Sequence, residues 1–89
     1  MRRAFVLIKS NLGKEHELKT KLEGIEGIVG VYLVYGIYDI VVEVEAESEE
    51  KLKDIVVSAI RPLGQMESTL TLIAVPGPAE SNDLRLRER

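Results

Sequence analysis

Two stretches of this sequence are apolar at odd and even positions alike, and that pattern restricts the fold more than any other. In Arg3 to Lys9, Phe5 and Leu7 alternate with Ala4, Val6 and Ile8. Ile28 to Tyr35 reads Ile-Val-Gly-Val-Tyr-Leu-Val-Tyr. Successive side chains of a strand point to opposite faces, so both stretches predict strands with oil on each side. A sheet built on them cannot keep one face simply wet.

The remaining segments supply the layers. Tyr38 to Ala46 alternates as a third strand, with Ile40, Val42, Val44 and Ala46 on one face and Asp39, Val41, Glu43 and Glu45 on the other. Gly36-Ile37 makes a tight reversal, so strands two and three form a hairpin. Ser68 to Val75 is the last strand, with Leu70, Leu72 and Ala74 facing one way and Thr69, Thr71, Ile73 and Val75 the other. Gly13 to Glu23 reads as a Lys/Glu-rich helix with Leu18 and Leu22 one turn apart, and Ser10 to Gly13 as a turn that could cap it. Ser48 caps a second helix, followed by Glu49 and Glu50 where the helix dipole favours acids. Leu52, Ile55, Val56, Ala59, Ile60 and Leu63 follow helical spacing until Pro62 and Gly64 end it.

The order strand, helix, strand, strand, helix, strand predicts an α+β, ferredoxin-like βαββαβ fold, with both helices on one face of a four-stranded antiparallel sheet. The other face is left apolar, which predicts association of copies sheet against sheet, at least as a dimer. At 89 residues this is one domain. A chain of that size buries only about 60–65% of its unfolded surface, and it has no cysteine for a disulfide. Residues 1–76 are read as the domain and 77–89 as a flexible polar tail.

Charge and composition narrow the function. The net charge is −3 with acids and bases interspersed, which argues against a nucleic-acid footprint. Tyr32, Tyr35 and Tyr38 cluster at the hairpin, but their neighbours Asp39, Glu43 and Glu45 would repel phosphate. The sequence offers no membrane span, no secretory signal, no cofactor motif and no metal set, and it is expected in the cytoplasm. His16 reads as a solvated surface residue, and the acids near 43–50 as a charged edge. Catalytic equipment is sparse, so the chain is read as a non-enzyme. Two features remain: the hairpin Tyr35-Gly36-Ile37-Tyr38-Asp39, and the hydroxyls of Thr69 and Thr71. A carboxylate, two hydroxyls and free backbone amides can hold a zwitterion.

Gly27-Ile28-Val29-Gly30-Val31-Tyr32, Tyr35-Gly36-Ile37-Tyr38-Asp39-Ile40 and Ser68-Thr69-Leu70-Thr71-Leu72-Ile73 resemble the C-terminal effector (RAM) domain of the Lrp/AsnC transcription regulators. That resemblance implies dimers joined through their sheets, rings of dimers such as octamers or decamers, and a free amino acid bound between dimers. Gly36, Ile37, Tyr38 and Asp39 would form one wall of the site, with Thr69 and Thr71 of a neighbouring subunit as the other. The chain has no room for the usual helix-turn-helix, so it resembles a stand-alone effector domain, open to mixed assembly with full-length regulators. Ile37 departs from the polar residue often found there. Two other readings stay open: an assembly domain without ligand, and a small dimeric ferredoxin-like enzyme using Tyr35, Tyr38 and Asp39.

Overall fold

The computed structural model describes residues 1–75. The boundary at 76 and the tail at 77–89 therefore lie outside the described residues. The elements run β1 (Arg2–Ser10), α1 (Glu15–Glu23), β2 (Ile28–Leu33), β3 (Ile40–Ala46), α2 (Glu49–Ile55) and β4 (Met66–Ile73). The four strands form one antiparallel sheet in the order β2-β3-β1-β4. This is the ferredoxin-like arrangement that the patterning predicts.

One sheet face carries Ala4, Val6 and Ile8 of β1 beside Ile40, Val42 and Val44 of β3, and it packs under Leu18 and Leu22 of α1 and Leu52, Val56 and Ile60 of α2. All but Val56 of these are completely buried. Each buried Val, Leu or Ile contributes about 1.5–3 kcal/mol, so this layer is the main source of stability. The opposite face is uncovered and carries Phe5, Leu7, Val41, Leu70, Leu72 and Tyr32. Leu7 pairs with Val41 on one side and Leu70 on the other, and Phe5 pairs with Leu72. Leu70 and Leu72 keep 43% and 47% of their surface exposed. Gly30 serves this face: a Cβ there would come within 2.6 Å of the Tyr32 hydroxyl, so only glycine lets that ring fold back across β2.

Several boundaries differ from the sequence reading. β2 ends at Leu33, and residues 34–39 form a wider loop, closed by Val34 N–H donating to the Asp39 carbonyl at 3.0 Å. The φ of 142° at Gly36 is what allows the chain to turn there. Ser10 does not cap α1. It ends β1, while Lys14 occupies the cap position without a side-chain bond. Ser48 does cap α2, accepting from Lys51 N–H at 3.1 Å. Beyond Ile55 that helix widens into a π-helical turn, Val56–Ile60, and then a 3-10 turn, Arg61–Leu63. Leu52, Val56 and Ile60, spaced by four, all stay over the core through this change of pitch.

Candidate functional site

The foot of the 34–39 loop is built around Asp39. Its backbone N–H donates to the Ile8 carbonyl at 2.9 Å, fixing the residue beside the end of β1. There Ser10, the last residue of β1, lies against the Asp39 carboxylate. Ser10 donates twice: its N–H to Oδ1 at 3.0 Å and its hydroxyl to Oδ2 at 2.6 Å. Partial burial pushes the Asp39 carboxyl up. The Ser10 hydroxyl and amide, its own amide and the charge of Lys9 outweigh that and hold it below the usual carboxylate range. A carboxylate offers about four acceptor positions, so two remain for another donor.

A half-open cleft of about 780 Å³ adjoins this corner. Its polar lining includes Asp39, Glu15, Glu67, Lys9 and His16, and its apolar lining Leu12, Leu33, Val34 and Tyr35. Leu12 and Tyr35 are fully exposed. The cleft thus joins charges of both signs to apolar side chains, the set that a small zwitterion with a side chain requires.

The expected site residues divide between two places. Asp39 lines the cleft, while Gly36, Ile37 and Tyr38 are the loop beside it, Ile37 being 78% exposed. Thr69 and Thr71 lie on β4, paired with Ile8 and Val6 on the helix-covered side. One copy of the chain does not bring them into the Asp39 cleft. Thr71 instead lines a separate groove with Lys53, Val56, Val57, Arg61 and Ile73.

A family model described as the Lrp/AsnC ligand binding domain matches residues 3–84. The chain belongs to that family. Solved structures agree. FFRP-DM1 is 35% identical with a TM-score of 0.79, over 84% of this chain and 100% of that one. A hypothetical protein from Pyrococcus horikoshii is 32% identical with a TM-score of 0.80, over 91% of this chain and 98% of that one. E. coli AsnC, 24% identical with a TM-score of 0.78, shares the fold over 86% of this chain and 52% of its own length. No curated protein sequence matches.

In this Lrp/AsnC ligand-binding domain the sequence reading missed several cleft residues. Lys9, Glu15, His16 and Glu67 come from three different elements and meet only through the fold. His16 is exposed, as its Lys/Glu-rich surroundings suggest, but its position at the cleft has no local signature. Glu43 and Glu45, read as a charged edge, both pair with Arg3 on the open sheet face. Among the described residues no three His, Asp or Glu side chains come together to hold a metal ion, and no helix is long and apolar enough to cross a membrane.

Proposed function

We propose that this chain is a cytoplasmic regulatory effector module that binds a free amino acid between associated copies of itself, without catalysis. The Asp39 cleft carries the reading, because it sets charges of both signs beside exposed apolar side chains at the loop Gly36-Ile37-Tyr38. Membership of a ligand-binding family supports it. Copies associate through the uncovered sheet face, first as dimers and then as rings of octamer or decamer size. The second wall, Thr69 and Thr71, comes from a neighbouring subunit. The module acts on transcription or amino-acid metabolism, through mixed assembly with full-length Lrp/AsnC regulators.

A thermal-shift and calorimetry screen across the twenty amino acids tests the ligand. At a hundredfold excess over Kd a bound ligand adds about 2.7 kcal/mol. For a domain this small that raises Tm by roughly 10–20 °C. Sedimentation tests the assembly. A folded, solitary chain at micromolar concentration would overturn the sheet-to-sheet dimer, and Leu7→Glu should produce that state from an associated one.

A second reading, an assembly domain without ligand, is favoured by one observation: Ser10 already satisfies both Asp39 oxygens. Stable rings with no Tm response to any amino acid would establish it.

A further inference from the structure

β4 enters the sheet irregularly, and the irregularity lies at the Asp39 cleft. Lys9 pairs with Ser68 and Ser10 with Met66, so Glu67 is left without an opposite residue on β1. An extra residue of this kind bends its strand locally, and such bulges are over-represented beside functional sites. Two positions earlier, Gln65 has a φ of 63°, the one positive value outside glycine among the described residues. That left-handed backbone is costly for a residue with a side chain, and it persists only where the surroundings hold it. Here they do. The Gln65 carbonyl accepts from Asn11 N–H at 2.8 Å, its Nε2 donates to Glu17 Oε2 at 3.0 Å, and its Oε1 accepts from Lys21 Nζ at 3.5 Å. Asn11, bonded to this anchored residue, and Glu67, two positions beyond it, both line the cleft.

Charge points the same way. The cleft has three carboxylates, Glu15, Asp39 and Glu67, and its cationic lining is confined to Lys9 and His16. Even with both of those charged, the acids outnumber them. Glu15 has a structural reason to be there, in the first turn of α1 where the helix dipole favours an acid. Asp39 is bonded by Ser10. Glu67 has neither reason, and it makes no ion pair among the described residues. A zwitterion with a neutral side chain brings one charge of each sign and leaves the excess of acid standing. A basic side chain offsets it.

We infer that the cleft selects an amino acid with a cationic side chain, of the lysine or arginine kind, and that the Glu67 carboxylate receives that cation. The inference rests on the effector reading above and deepens it by naming the class of ligand. The carbon stem of such a side chain lies against the apolar lining, as long basic side chains do on apolar surface.

Calorimetry on the full chain with lysine and norleucine, and with arginine and citrulline, tests it. Each neutral partner keeps the carbon chain and lacks the side-chain cation. At least one basic ligand should bind about tenfold or more tightly than its neutral partner. Glu67→Gln should weaken that basic ligand by about tenfold, while the neutral partner moves by less than about threefold and Tm is unchanged. A glutamate with a purely structural role would move both ligands together. Equal binding within both pairs, a preference unmoved by Glu67→Gln, a loss shared equally by both ligands, or binding confined to other amino acids overturns the inference and keeps the effector reading. No binding by any of the twenty amino acids overturns both.

Discussion

Asp39 and Thr71 are both polar side chains at the margin of the same core, and they are treated in opposite ways. Asp39 receives two bonds from Ser10, itself only 5% exposed. Thr71 receives none among the described residues. Buried polar groups are normally paired because the loss of water must be made good. The Asp39 corner follows that rule and is a structural clamp, tying the 34–39 loop to the end of β1. The Thr71 hydroxyl breaks it on an edge strand, beside a groove lined by cations. A satisfied polar group holds a fold together; an unsatisfied one adds nothing to it.

Substitutions test the contrast, the largest effect coming from the clamp. Asp39→Ala leaves the buried Ser10 N–H and hydroxyl without an acceptor and should destabilise the domain by about 2–3 kcal/mol. In a thermal melt that is a fall in Tm of roughly 10–20 °C. A change of only a degree or two would mean that the clamp is idle. Ser10→Ala removes the hydroxyl but keeps the amide bond, and should cost about 1 kcal/mol by chemical denaturation.

Acid offers a milder probe of the same corner. The folded-state value of Asp39 lies below that of the unfolded chain, about 3.9. Its contribution is therefore complete above that pH and is lost as pH falls through the folded value. The loss should be smaller than for either variant, because a protonated carboxyl still accepts a bond. Asp39→Asn should abolish this part of the acid sensitivity in a denaturation series over roughly pH 5 to 2. At the other extreme, Thr71→Val should change stability by no more than about 0.5 kcal/mol, or raise it, since no bond is removed. A loss of 2 kcal/mol or more, on the order of a broken buried bond, would show that Thr71 is a second clamp and end the contrast.

The architecture was legible because it is written in periodicity. Alternation exposed both faces of β1, the faces of β3 and β4, and the helix facing of Leu52, Val56 and Ile60. The hairpin was less so. Val34, Tyr35 and Tyr38 are good strand formers, and their propensity conceals the loop that Gly36 opens. The Asp39–Ser10 clamp was not legible at all, since it joins positions far apart in sequence that only the fold brings together. Asp39 itself was picked out as a ligand's partner; that Ser10 also bonds it was not foreseen. The π-helical turn leaves no trace either, because a spacing of four reads the same in a regular helix. Lys53, Arg61 and Thr71, from separate elements, share a groove only through the fold.

Arg3, Glu43 and Glu45 gather their ion pairs at one end of the uncovered sheet face, and this has a bearing on how that face meets anything. Charges covered by hydrocarbon lose their hydration with little return. A partner sheet laid over Phe5, Leu7, Leu70 and Leu72 is therefore steered to leave the charged end at the rim. The face carries its own compass: the ion pairs, not the grease, would set the orientation of anything laid on it.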